Sequence, residues 1–122
     1  MQMQDKIVIN DYIENDPLSE ENLDKTLKTA NKIRLSCPNK TIWIYSGYDY
    51  QKVMRQLPNL ATKENYNMYK RQQIIKQCTV MVDGRYIDSQ RNPSKKFAGS
   101  DNQRVIDIQQ SLQKGEIVLW KC

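Results

Sequence analysis

Histidine is absent from this chain of 122 residues, and its absence removes whole classes of chemistry. Ser-His and Cys-His nucleophilic pairs, and ordinary His-containing zinc sites, all need an imidazole. Long apolar runs are missing too. Nothing approaches the roughly 18 consecutive apolar residues of a membrane span, and the start, Met1-Gln2-Met3-Gln4-Asp5-Lys6, has no apolar leader segment. The expectation is a cytoplasmic protein with no membrane partner. Cysteine is scarce and dispersed: Cys37, Cys78 and Cys122 lie 41 and 44 residues apart, which fits no C-x-x-C spacing and leaves one thiol over in any disulfide scheme. Reduced thiols are expected and no metal ligand is assigned. Cys37 and Cys122 read as a helix-end thiol and a terminal one rather than as cluster ligands.

What is present fits one domain spanning 1–122 with a single modest core, since 39% of residues are hydrophobic and 27% charged. The net charge of +5 is unevenly placed. Met1 to Tyr48 carries six basic and seven acidic residues, Asp49 to Lys96 ten and four, and Phe97 to Cys122 three and three. The middle third therefore supplies the excess, and an acidic or nucleic-acid partner would be met through residues 49–96. The cations are scattered rather than contiguous, so an ordinary solvated face is the competing explanation. A helix over Lys70–Gln77 would set Lys70, Arg71 and Lys76 at its edge.

Local pattern predicts alternating strands and helices. Lys6–Asn10 reads as a strand, followed by turn chemistry at Asn15-Asp16-Pro17. Ser19 is a candidate N-cap for a helix whose Leu23, Leu27, Ala30 and Ile33 share one face, stopped at Cys37-Pro38-Asn39. Thr41–Tyr45 is β-branched and aromatic, as a strand covered on both faces would be. A second helix is expected over Asp49–Leu57, a loop or irregular helix from Pro58 to about Tyr69, and a weaker helix over Lys70–Gln77. Thr79–Val82 reads as the third strand. A helix opening at Asp101-Asn102-Gln103, with Val105, Ile108 and Leu112 as its stripe, would close at Lys114-Gly115, and Glu116–Trp120 as a final strand. The expected class is α/β with a mostly parallel sheet of about four strands and flanking helices.

In open parallel sheets, ligands bind beyond the carboxyl ends of the strands. Those positions here are Glu14-Asn15-Asp16-Pro17-Leu18, Ser46-Gly47-Tyr48 and Asp83-Gly84-Arg85. Together they offer a carboxylate, a guanidinium, a hydroxyl and free backbone groups, a set suited to a polar zwitterion. Each also has an ordinary explanation as a turn, a strand exit or a helix entry. Trp43, Tyr45 and Tyr48 offer a stacking surface for a base, but core packing of a doubly covered strand accounts for them better.

Four segments in order carry a resemblance: Asn15-Asp16-Pro17-Leu18, then Ile42 through Tyr48, then Val80 through Tyr86, then Phe97 through Asp107, with Gln109 through Trp120 closing the chain. In this order they resemble the activating proteins of class III anaerobic ribonucleotide reductases, members of the radical S-adenosylmethionine (SAM) superfamily. The resemblance implies part of a (β/α) radical-SAM-like barrel, SAM and a [4Fe-4S] cluster as the family's cofactors, and the reductase large subunit as partner. It implies an activity in which SAM is cleaved reductively and a glycyl radical is made on the reductase. Carried over residue by residue, Asn15, Ser46, Asp83 and Arg85 become the candidate SAM contacts, while Asp16 and Pro17 shape the first turn. No catalytic residue is assigned.

Two departures qualify it. The family's C-x-x-x-C-x-x-C unit, whose thiolates bind three irons, has no counterpart in these 122 residues. The two glycines of the family's G-G-D-P-L turn are Glu14 and Asn15 here, so side chains stand where backbone must approach the ligand. Neither cofactor is expected to bind tightly, and the chain reads as a truncated activase that makes no radical alone. The alternative is a cluster-free derivative of the fold that serves as a protein- or nucleic-acid-binding module or inhibitor.

Overall fold

The computed structural model describes residues 5–121; Cys122 and the first four residues lie outside it. Strands β1 (Lys6–Val8), β2 (Thr41–Ser46), β3 (Val80–Asp83) and β4 (Arg104–Asp107) form one open sheet in sequential order. β1, β2 and β3 run parallel, and β4 is antiparallel to β3. Helices α1 (Leu23–Ser36), α2 (Tyr50–Val53), α3 (Lys63–Lys76) and α4 (Ile108–Lys114) complete the α/β arrangement. Among the described residues no helix is long and apolar enough to cross a membrane.

Alternation along the strands sorts side chains onto two faces. Ile42, Ile44, Met81 and Ile106 point into the main core with Leu18, Leu23, Ala30, Ile74, Ile75 and Ile108. On the opposite face Trp43, Val80 and Val82 form a second cluster, covered by Phe97, Ala98 and Trp120. The Trp43 ring centroid lies 4.8 Å from that of Phe97 and 5.7 Å from that of Trp120. The sequence's two-faced β2 is thus observed, with a loop and the C-terminal segment as its second cover instead of more helices.

β1 is shorter than the sequence pattern implies because the chain bends into a 3-10 turn at Ile9–Tyr12. The Asn10 side chain replaces the lost ladder: its Nδ2 donates to the Tyr45 carbonyl and its Oδ1 accepts from the Tyr45 amide, both at 2.8 Å. α1 has the predicted stripe, with Leu23 and Ala30 buried and Leu27 and Ile33 packed against the core.

Four expectations are corrected. Residues 63–69, expected as a loop or irregular helix, are the regular first half of α3, capped by Thr62, whose hydroxyl accepts from the Asn65 amide at 3.1 Å. The pattern shows the helix clearly only in its second half because half its buried stripe is polar: Asn67 and Arg71 stand beside Ile74 and Ile75 on the inner face. α2 ends at Val53, short of Leu57, where Gln72 Nε2 donates to the carbonyls of Val53 and Arg55 at 2.9 and 2.8 Å. The segment expected as a helix from Asp101 is instead β4, and α4 begins only at Ile108, with the Asp107 carboxylate accepting from the Gln110 amide. β-branched Val105-Ile106 serves the free edge of β3, and Asp107 then starts the helix. Glu116–Trp120 is not a full strand. It joins β4 through the Ile106–Leu119 bridge and the bonds Asp107 N to Val118 O and Trp120 N to Val105 O.

Arg71 also corrects the surface reading of the basic middle third. It is 8% exposed. Its Nε donates to the Leu18 carbonyl at 2.7 Å, its Nη2 donates to the Tyr48 hydroxyl at 3.2 Å, and its guanidinium lies over the Tyr48 ring. Lys70 is spent on Asp24 at 2.7 Å. Of the three cations proposed for a binding edge, Arg71 is therefore structural and Lys70 is paired at the surface. We expect Arg71→Glu to destabilise the protein by about 3 kcal/mol or more, because it removes these bonds and buries an anion beside a carbonyl. Lys76→Glu, on the exposed side of α3, should leave the urea midpoint nearly unchanged. Equal midpoints for the two variants would refute this assignment of Arg71.

Candidate functional site

The parallel strands deliver three loops to one end of the sheet, and antiparallel β4 brings its first residues to the same end. Between them lies a cleft of about 610 Å³ lined by Asp16, Tyr45, Ser46, Gly47, Tyr48, Gly84, Arg85, Tyr86 and Gln103. It combines one carboxylate, one guanidinium, hydroxyls and glycine backbone.

The first wall is organised by Asp16. Its Oδ1 accepts from the Leu18 amide at 2.9 Å and from Ser46 Oγ at 2.8 Å, while its Oδ2 accepts from the Gly47 amide at 2.8 Å. Ser46 Oγ in turn accepts from the Tyr48 amide at 3.1 Å. One carboxylate thus shapes the turn after β1 and fastens it to the exit of β2, and its several lone-pair sites leave room for a further donor. Asn15, just before it, is exposed with φ of 64°, the left-handed region where Asn is tolerated better than most side chains. Glu14 has no positive φ. Of the two residues standing where the family has glycine, only Asn15 occupies a glycine-like conformation.

The second wall is sewn together by the segment 99–103. Gly84 adopts φ of 100°, a conformation that favours glycine. Gln103 Nε2 donates to the Gly84 carbonyl at 3.1 Å, and its Oε1 accepts from the amides of Gly99 and Ser100 at 2.8 and 3.1 Å. Asn102 Nδ2 donates to the Arg85 carbonyl at 2.8 Å. The 99–103 motif therefore positions the β3 exit.

Of the sequence-predicted contacts, Ser46 and Arg85 line the cleft, whereas Asn15 and Asp83 do not. Asp83 is 2% exposed and committed: Arg104 donates to it through Nε at 3.0 Å and Nη2 at 2.6 Å, and the Tyr50 amide donates at 2.8 Å. This partner raises Arg104 above the usual guanidinium range, the hydrogen bond to Asp83 being the main cause. Asp16 and Gln103, which line the cleft, were read only as a turn residue and a helix opening. Their signal was present in the resembling motifs, but which member of each motif faces the cleft depends on backbone direction.

The described thiols, Cys37 and Cys78, do not fit an iron–sulfur cluster. Cys78 is fully buried, its Sγ donates to the Ile74 carbonyl at 3.4 Å, and burial pushes its thiol up to about 12. A cluster ligand must be a thiolate. Cys37 is half-buried at the end of α1. Among the described residues no group of three His, Cys, Asp or Glu side chains is placed to hold a metal ion.

Comparison with known proteins supplies the context for this geometry. The family profile of the 4Fe-4S single cluster domain matches residues 14–106. The anaerobic ribonucleoside-triphosphate reductase-activating protein of Escherichia coli (strain K12) is 32% identical over 90 residues, which is 74% of this chain and 49% of that protein. The protein of the same name from Vibrio cholerae is 30% identical over the same shares. That of Enterobacteria phage T4 is 28% identical over 91 residues, 74% of this chain and 47% of its own. The chain spans about half the length of these relatives. No solved structure matches it.

The buried pair yields a test. Arg104→Met leaves the Asp83 carboxylate without its counter-ion and should cost about 2–4 kcal/mol, less than a fully buried pair because the Arg104 side chain is 33% exposed. Ser46→Ala should cost less than half as much in the same urea titration. A larger loss for Ser46→Ala would contradict the division between support and cleft wall.

Proposed function

The chain belongs to the family of anaerobic ribonucleoside-triphosphate reductase-activating proteins, and on that footing we propose that its cleft is the SAM-receiving part of a glycyl-radical activase. One observation carries the reading: the segments that resemble the family, dispersed over the sequence, converge as the walls of a single cleft. The open sheet then corresponds to part of a (β/α) radical-SAM barrel, with the cleft beyond its strand ends.

The residues present fit the polar end of SAM. Arg85 is exposed at the rim and supplies a guanidinium for a carboxylate. Asp16 supplies a half-buried carboxylate for an ammonium, and Ser46 holds that carboxylate in place. Asn15 shapes the approach through its left-handed backbone, and Asp83 acts at one remove, by fixing Arg104 and the start of α2. When bound in an intact activase, SAM is the source of the radical that is passed to a glycine of the reductase, and the reductase large subunit is the partner this reading assigns.

The cluster is a different matter. Among the described residues, Cys37 and Cys78 do not provide its ligands, so the chain by itself binds SAM weakly and makes no radical. The alternative of a macromolecule-binding module through residues 49–96 loses support from the burial of Arg71 and the pairing of Lys70.

Saturation-transfer NMR on the full chain tests the reading. SAM should give a fast-exchange signal that Asp16→Asn and Arg85→Ala each weaken severalfold. Anaerobic treatment with iron and sulfide should produce neither stoichiometric cluster nor 5′-deoxyadenosine. Absence of any SAM signal, or a signal indifferent to both substitutions, would defeat the assignment of the cleft.

A further inference from the structure

We infer that Tyr86 is a stacking platform for the planar base of the cleft's ligand, and that Gly99 is glycine because it seats that ring. The inference rests on the reading of the cleft as a nucleoside-sulfonium site and adds the residue that would recognise the base. Three tyrosines line the cleft, Tyr45, Tyr48 and Tyr86, and the structure treats them differently. Tyr45 packs against the Trp43, Val80 and Val82 cluster. Tyr48 already carries the Arg71 guanidinium 4.5 Å from its ring centroid and accepts a hydrogen bond from Arg71 at its hydroxyl. Tyr86 remains 47% exposed.

Tyr86 is nevertheless pinned. Its hydroxyl donates to Asp88 Oδ1 at 3.0 Å. A Cβ built on Gly99 would stand 3.1 Å from both Cδ1 and Cε1 of the ring, so a side chain there would force the ring to shift by a few tenths of an ångström from its seat. The Gly99 amide donates to Gln103 Oε1, and Gln103 donates to the Gly84 carbonyl, so the seat is bolted to the same wall that carries Arg85. A half-exposed aromatic ring held at both ends loses little conformational freedom when a base stacks on it. Exposed aromatic area of this kind normally contributes nothing to a fold, whereas a base stacked on an aromatic side chain gains affinity independently of hydrogen-bond pattern. Arg85, adjacent in sequence, lines the same cleft with no side-chain hydrogen bond or ion pair to the described residues. The pair suits a ligand with a purine-like ring and an anionic tail.

The test uses the full chain and two probes, SAM and 5′-methylthioadenosine, the second of which keeps the base and lacks the amino-acid tail. Tyr86→Ala should weaken both by roughly tenfold, and Tyr86→Phe, which keeps the ring but loses the hold on Asp88, should weaken both by much less. Gly99→Ala, which leaves Tyr86 in the sequence but displaces its ring, should weaken both in the same direction. Arg85→Ala should weaken SAM more than 5′-methylthioadenosine. If the parent binds either probe and Tyr86→Ala binds it equally well, the platform is wrong while the cleft assignment stands. If the parent binds neither, the cleft assignment itself falls and takes this inference with it.

Discussion

The Asp16 carboxylate is the constraint on which the arrangement of the cleft depends. Its acceptor positions tie the turn after β1 to the exit of β2 through the Leu18 amide, the Ser46 hydroxyl and the Gly47 amide. Ionised acceptors make shorter and stronger hydrogen bonds than neutral ones, so one side chain fixes two loops that no backbone ladder joins. Arg71 secures the same turn from beneath by donating to the Leu18 carbonyl, and it braces Tyr48 on the cleft's edge. On the other side, Asp83 with Arg104 locks β3 to β4 and reaches the first residue of α2. Among the described residues no buried side-chain nitrogen or oxygen is left without a partner, which is the condition under which so polar an interior remains favourable.

Much of the fold was legible from apolar periodicity. β2, β3 and α1 follow their patterns because the residues that alternate or repeat are the ones that become buried. α3 was legible only in its second half, because Asn67 and Arg71 occupy core-facing positions and an apolar count cannot see a buried guanidinium. β4 was mistaken for a helix because Val105, Ile108 and Leu112 have helical spacing, although the β-branched pair Val105-Ile106 completes the sheet first. In the site, the motifs located the right loops and, within them, Ser46 and Arg85, while Asp16 and Gln103 were not singled out as contacts. Asn15 and Asp83, expected beside them, do not line the cleft, because side-chain direction at a strand exit depends on turns such as those set by Asn15 and Gly84.

The chain matches a 4Fe-4S domain over residues 14–106, yet among the described residues Cys78 is buried with its thiol pushed up and no three ligating side chains are placed to hold a metal ion. These facts are compatible if the two tasks of an activase are carried by different residues: holding the sulfonium ligand, and holding the iron that reduces it. In the proposed reading the cleft serves the first task. Its walls are stabilised by hydrogen bonds internal to the chain, so their geometry does not require a cluster to be formed.

The most direct measurement of that claim is the amide NMR spectrum of the isotopically labelled chain, followed as SAM is added. The account predicts shifts concentrated at Gly47, Tyr48, Gly84, Arg85 and Gln103, with the amides of α3 and of residues 34–40 unmoved. Shifts centred on α3 or spread evenly over the basic middle third, with the cleft amides silent, would contradict it.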